Sequence, residues 1–240
     1  YFSAAEKIDY PRENFEIVFV NDGSQDTSLE LLKKWKEESG IAVQIINLKK
    51  NVGVAAARIS GAKAAKHDFI FFSDSKCEIF SDALFQIDRL NYPLINANVL
   101  QKRNHIFDKF FAIVRRKFFP TSTGANYSDL FITPENFDSI TKGGGVLFCE
   151  KAFFLESQFE NPNDKNCSDD IRLIWNMVQK KEMLKTAKVN FYYNTRGSFG
   201  ANIAHIFARG PKFIDYYFQP HRRYFWQICI GIFLFFLLPF

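Results

Sequence analysis

The sequence predicts an α/β fold with a mostly parallel central sheet flanked by helices. Three observations carry that expectation. Strand-like and helix-like segments alternate over the first hundred residues, as βαβ units require. The strand-like runs are short and apolar, as in a sheet covered on both faces. They end at Asn21-Asp22, Leu48-Lys49 and Ser73-Asp74, and ligands of such sheets bind outside the carboxyl ends of the strands.

The elements follow in order. "FEIVFVN" (15–21) is rich in β-branched and aromatic residues and stops at "DGS". "DTSLELLKKWKEES" reads as a helix, with Thr27 and Glu30 spaced as a capping box and Gly40 as its stop. "IAVQIINL" is a second strand, "VAAARISGAKAAK" a second helix and "DFIFFSD" a third strand. The stretch from about 95 to 142 is less regular and includes the basic aromatic run "KFFAIVRRKFFP". "KGGGVLFCEKAFF" is a glycine-rich turn entering a strand and a short helix. "CSDDIRLIWNMVQKK" is an amphipathic helix with Ile171, Ile174, Trp175 and Val178 on one stripe.

Composition narrows the class. A net charge of +5 is too mild to argue a nucleic-acid partner, and none is expected. Four scattered cysteines without paired spacing suit a reducing, cytosol-facing compartment. The 29 phenylalanines exceed what an ordinary soluble domain needs and suggest apolar surface turned to lipid or an aromatic core. Residues 225–240 carry no charge, and Arg222, Arg223, Tyr224 and Trp226 stand at their start. Basic residues followed by interfacial aromatics mark a cytoplasmic membrane boundary; a buried terminal helix is the plainer alternative. The chain opens at Tyr1 and stops inside the apolar run, so it is expected to be a piece of a longer protein.

Four constellations carry chemistry, each beside a plainer reading. In "VNDGSQDTS" a strand-end Asp22 can accept from a nucleobase or ribose, with Gly23 letting the chain turn close; an Asx turn would leave the same trace. In "NVGVAAARISGAK" small residues allow close packing of helix on sheet, and Arg58 suits a diphosphate or carboxylate, or is a surface arginine. In "FFSDSKCEIF" Asp74 ends a strand where two carboxylates would clamp Mg2+ or Mn2+, but Lys76 stands in the second position. In "SDDIRL" Asp169 and Asp170 open a helix, as a catalytic base or as plain capping.

In their order and separation these segments resemble the family 2 glycosyltransferases, and the resemblance covers nearly the whole chain. "VNDGSQDTS" is similar to V-D-D-G-S-x-D-x-T, with Asn21 in place of the first aspartate. "NVGVAAARISGA" is similar to N-x-G-x-A-x-A-R-N-x-G, with Ile59 for asparagine. "FSDSKC" takes the place of D-x-D, and "GGGVLFCEKAF" resembles G-x-N-x-A-F-R-R-x-x-F, with Gly145 for asparagine. "SDDIRL" stands where E-D-x-D-L is usual, and "RGSFGANIAHIFARG" is similar to the arginine-containing helix that precedes membrane segments.

The resemblance implies a GT-A nucleotide-sugar-binding fold over residues 1–218, with the usual first strand missing, and a membrane-associated or transmembrane helix beginning in 219–240. It implies a nucleoside-diphosphate sugar donor held by Asn21, Asp22, Arg58, Asp74 and Lys76. Asp74 would be the metal ligand, Asp170 the general base and Asp169 its neighbour. Gly143, Gly144, Gly145 and Arg209 would lie on the acceptor side. The implied reaction is inverting sugar transfer to a saccharide or lipid-linked acceptor, in cell-envelope polysaccharide or glycolipid synthesis, at the cytoplasmic face of a membrane. At Lys76 three readings stand: a cation replacing the second metal ligand, a solvated lysine beside an Asp74-bound ion, or an inactive relative. A degenerate nucleotide-sugar-binding or scaffold protein is the alternative function; a phosphoacceptor domain is a third.

Overall fold

A computed structural model describes residues 1–101, 106–124, 127–162, 167–194, 199–220, 222 and 224–230. A short helix α1 (Phe2–Ala5) leads to β1 (Ile17–Asn21), α2 (Ser28–Glu38), β2 (Val43–Asn47), α3 (Val54–Ala64) and β3 (Phe69–Phe71). Then come β4 (Cys77–Ile79), α4 (Ala83–Leu90), β5 (Leu94–Gln101), α5 (Ile106–Phe118) and β6 (Leu130–Ile132). The chain continues through β7 (Leu147–Glu150), α6 (Lys151–Glu156), α7 (Asp169–Val178), β8 (Met183–Tyr193) and α8 (Phe199–Tyr217).

The β1–α2–β2 unit is the expected crossover, with Ile17 opposite Val43 and Asn21 opposite Asn47 in a parallel pair. The start of α2 differs from the capping-box reading. Thr27 makes no side-chain cap; Asp26 accepts from the Ser28 N–H at 3.1 Å instead. Trp35 anchors α2 on α1 and β1, stacked on Phe2 and edge-on to Phe19, with its indole N–H donated to Glu6 at 2.7 Å.

The expectation of a mostly parallel sheet is corrected: the sheet is mixed. A six-stranded sheet has the order β3-β7-β5-β8-β4, with β6 also on β8. Only β5–β8 in it is parallel; β3–β7, β5–β7, β4–β8 and β6–β8 are antiparallel. The cause is β7, which enters from the glycine turn and runs back along β3, pairing Phe71 with Phe148 and Phe69 with Glu150. Its start therefore lies at the end of β3. One apolar layer under this sheet draws on α3, α6, α7 and α8, centred on Phe137, Phe154, Ile174 and Met177. The other packs α4 through Ala83 and Ile87 against Ile95, Val189 and Phe191.

Among the described residues β1 and β3 share no ladder. A groove of about 900 Å3 lies between them, lined by residues 15–20 on one side and 67–75 on the other, with α3 and α4 residues completing it.

No helix among the described residues is long and apolar enough to cross a membrane. The terminal helix expected from 219 is seen as a helical segment at 225–230, and 231–240 lie outside the described residues. Arg222, read from the sequence as a membrane-boundary arginine, stacks on Tyr216 at 4.1 Å and Trp175 at 4.6 Å.

Candidate active site

The residues singled out from the sequence stand at or near the strand ends. β1 ends in Asn21 and passes into Asp22 and Gly23. Gly23 has φ +69°, and an added methyl would lie 2.6 Å from the backbone of Lys50 and Asn51. The close approach that demands glycine here is thus of chain to chain. Asp22 fastens the same loop: its carboxylate accepts from Val52 N–H at 2.7 Å and Gly53 N–H at 3.0 Å. Asn21 is buried and donates to Asn47 at 2.7 Å, joining the ends of β1 and β2. Asp22 also lines the groove, together with Arg58, Asp74 and Ser75.

Beyond that loop α3 can lie close to β1 because its facing residues are small. Ala55 and Ala62 are buried, and a methyl on Gly61 would stand 3.1 Å from Val20. This placement sends Arg58 across the end of the sheet. Its guanidinium, only 10% exposed, meets Asp170 at 2.5 Å, Asp74 at 3.1 Å and Asp169 at 3.7 Å. Burial alone would lower the Arg58 pKa; the charges of Asp170, Asp74 and Asp169 outweigh it and raise the pKa above its ordinary value. Three acids from two distant segments are thereby joined by one cation.

The antiparallel β3–β7 pairing supplies the floor. Asp74 N–H donates to the Gly145 carbonyl at 3.2 Å, and Phe72 N–H to Leu147 at 2.8 Å. A methyl on Gly145 would collide with the Asp74 carboxylate, and one on Gly144 with Asp170 and Arg58. Gly143 has open space, but its carbonyl accepts from Asn96 at 2.9 Å. Asn96 in turn accepts from the buried Lys185 ammonium at 3.0 Å. Gly144 and Gly145 lack side chains because Asp170, Arg58 and Asp74 occupy the volume where a Cβ would sit.

Lys76 follows Asp74 in a tight turn, closed by Cys77 N–H on the Asp74 carbonyl at 2.8 Å. Its own carbonyl accepts from Asn194 at 2.9 Å, and its side chain is part-buried. Burial, with the Asp74 charge nearby, pushes the Cys77 thiol up to about 12. The side chain of Arg209 lies outside the described residues. The structure thus brings together Arg58, Asp74, Asp169, Asp170, Gly144 and Gly145, and places Asp22 at the same strand ends. It adds Asn96, Lys185 and Lys212, which the sequence reading passed over; Lys212 donates to Asp169 at 3.1 Å.

A divalent cation can be tested against this donor set. Among the described residues no three His, Cys, Asp or Glu side chains cluster as a metal cage, and Arg58 already serves the three acids. What remains is Asp74, whose side chain is 47% exposed. One carboxylate plus substrate phosphates is an ordinary way to hold Mg2+, so the residues fit a cation brought with a diphosphate.

The family description Glycosyl transferase family 2 matches residues 3–174, well over half of the chain. The chain belongs to this family. Among curated relatives of this family 2 chain, a poly(ribitol-phosphate) beta-glucosyltransferase of Bacillus spizizenii is 37% identical over 76 residues, 32% of this chain and 12% of that protein. An undecaprenyl-phosphate 4-deoxy-4-formamido-L-arabinose transferase of Pseudomonas paraeruginosa is 41% identical over 61 residues, 25% of this chain and 18% of that protein. The matched stretches are thus a minor part of either relative. The solved structure of S. aureus TarS 1-349 with UDP-GlcNAc superposes with a TM-score of 0.62 at 18% identity, covering 82% of this chain and 54% of that one. At that identity the likeness speaks for the GT-A fold alone.

Proposed function

We propose that this chain is the catalytic domain of a glycosyltransferase that moves a sugar from a nucleoside-diphosphate sugar to an acceptor hydroxyl with inversion. The observation that carries the reading is the junction of Asp74, Asp169 and Asp170 around Arg58, on a glycine floor at the carboxyl ends of the strands. The nucleoside would lie toward Asp22, and the diphosphate toward Asp74 and Arg58. Asp170, with a side chain 30% exposed, would take the proton of the acceptor hydroxyl. That oxygen attacks the anomeric carbon as the bond to the diphosphate breaks, and the electron pair leaves with the diphosphate. Arg58 holds Asp170 in the present arrangement, so a diphosphate that draws the guanidinium toward itself would free the base.

A divalent cation at Asp74 would supply positive charge to the leaving diphosphate, and Lys76 would share that work as a point charge. The named relatives act on poly(ribitol-phosphate) and undecaprenyl-phosphate, which supports a saccharide or lipid-linked acceptor of the cell envelope. The exposed Phe207, Phe218, Trp226 and Ile230 favour a membrane contact through the C-terminal segment, with the domain on the cytoplasmic side.

Asp170→Asn tests the assignment. Transfer is expected to fall by about a thousandfold or more while donor binding stays within about threefold. A second reading, a binding or scaffold protein without turnover, is favoured by the direct Arg58–Asp170 ion pair. It predicts donor binding with no transfer in either the native protein or the variant.

A further inference from the structure

α8 follows the acidic pair in sequence and returns across it in space. Asp215 straps it to the start of α7, accepting from Arg172 Nη2 at 2.6 Å, Arg172 Nε at 3.0 Å and the Ser168 N–H at 3.0 Å. The Ser168 hydroxyl donates to the Lys212 carbonyl. So tied, α8 delivers Lys212 to the site, where its ammonium donates to Asp169 Oδ1 at 3.1 Å. Lys212 and Asp169 also line a hollow of about 200 Å3 with Asp22, Asn51, Gly53 and Pro162. That hollow runs from Asp22 to Asp169.

Charge and mobility separate Lys212 from Arg58. Among the described residues Asp74, Asp169 and Asp170 all face Arg58, and Asp169 also faces Lys212. Arg58 is buried and forked over all three acids. Lys212 has a side chain about one-third exposed on a flexible four-carbon stem, while its partner Asp169 is only 13% exposed, so water reaches the lysine end of the pair. Asp169 keeps Arg58 at 3.7 Å when Lys212 turns away. An anion entering the hollow therefore meets a cation that can leave Asp169 while Arg58 stays with that acid.

We propose that Lys212 is a donor-binding residue whose ammonium passes from Asp169 to the diphosphate of the nucleotide sugar. There it neutralises the charge that gathers on the leaving oxygen as the bond to the sugar breaks. This rests on the glycosyltransferase reading and names a donor-side cation on α8, the helix on which the sequence reading placed only Arg209, on the acceptor side.

Calorimetric titration with UDP and GDP, and with UMP and GMP, in the presence of EDTA tests it. For the nucleoside diphosphate that the native protein binds, Lys212→Gln is expected to weaken affinity about tenfold, the loss of one charge-assisted hydrogen bond. Lys212→Arg should recover it to within about threefold, and the matching monophosphate should weaken by less than about threefold. Asp169→Asn should tighten the diphosphate, and Asp169→Asn with Lys212→Gln should lose that gain. Unchanged diphosphate binding in Lys212→Gln, equal loss of mono- and diphosphate, or a gain in Asp169→Asn that survives without Lys212 would each overturn the proposal. A native protein that binds no nucleoside diphosphate, either in EDTA or with Mn2+ added, overturns the glycosyltransferase reading itself, so the two failures are distinct.

Discussion

Removing the Arg58 charge with Arg58→Met keeps much of the side-chain volume and leaves three carboxylates facing one another. At an effective dielectric constant near 20, each contact at 2.5–3.7 Å is worth about 4–7 kcal/mol before desolvation. Most of that is repaid as desolvation, and breaking a buried pair costs about 3–5 kcal/mol net. Two features reduce the figure here. The side chains of Asp74 and Asp170 are 47% and 30% exposed, so water can reach them, and Asp169 keeps Lys212 at 3.1 Å. The expected loss is about 3 kcal/mol, which for a chain of this size moves the urea midpoint down by about 1 M. Arg58→Lys should recover roughly half, because a single ammonium cannot fork to Asp74 and Asp170 at once. A midpoint for Arg58→Met within about 0.2 M of the native protein, at unchanged slope, would refute the claim that Arg58 is the cation joining the site.

Three further outcomes follow from the same geometry. Gly145→Ala puts a methyl into the Asp74 carboxylate; because Asp74 can swing outward, stability should drop by only about 1 kcal/mol while turnover falls by about tenfold or more, a split read by urea unfolding beside a transfer assay. If Lys76 shares the work of a metal, exhaustive chelation should leave a substantial part of the turnover, and Lys76→Ala should make it metal-dependent; complete loss in the native protein, restored by Mn2+, would rule that out. Burial lowers the Lys142 ammonium to about 7, against about 10.4 when unfolded, so the unfolded chain binds more protons between those values and stability rises with pH across that window. The penalty is full below about pH 7, and Lys142→Met should remove up to about 1 kcal/mol per pH unit of that slope; parallel stability curves for the two proteins from about pH 7 to about pH 9 would contradict it.

Elements whose local pattern and tertiary role agree were legible in the sequence. β1, α2, β2 and α3 read directly because apolar strands alternate with a helix of one-sided burial and a helix of small residues. The acids were legible as well, since each ends a strand or opens a helix beside a recognisable turn. What they touch was not. Asp22 has the sequence of a ligand-facing turn, yet its carboxylate binds the loop at Val52 and Gly53. Arg58, read as a diphosphate partner, lies between carboxylates of two distant segments, with Asp170 112 residues from it in the chain. No spacing rule reports such a contact, because the path from α3 to α7 is closed by the sheet and not by local chain geometry.

The two longest strands, β5 and β8, were missed for a physical reason that also explains the site. Each carries polar residues at buried positions: Asn96 and Asn98 in one, Lys185 and Thr186 in the other. Read alone, a buried lysine argues against a core strand. Paired across the parallel ladder, Lys185 donates to Asn96 at 3.0 Å and to the Ala97 carbonyl at 2.7 Å, so part of the cost of burying it is offset. Asn96 then has its amide free for the Gly143 carbonyl, the first residue of the turn that carries Gly144 and Gly145 against Asp170 and Asp74. The polar residues that hide these strands from a hydrophobic pattern are the ones that fasten the glycine floor to the sheet. An apolar pair at 96 and 185 would make the strands easier to read and would leave that floor without its anchor.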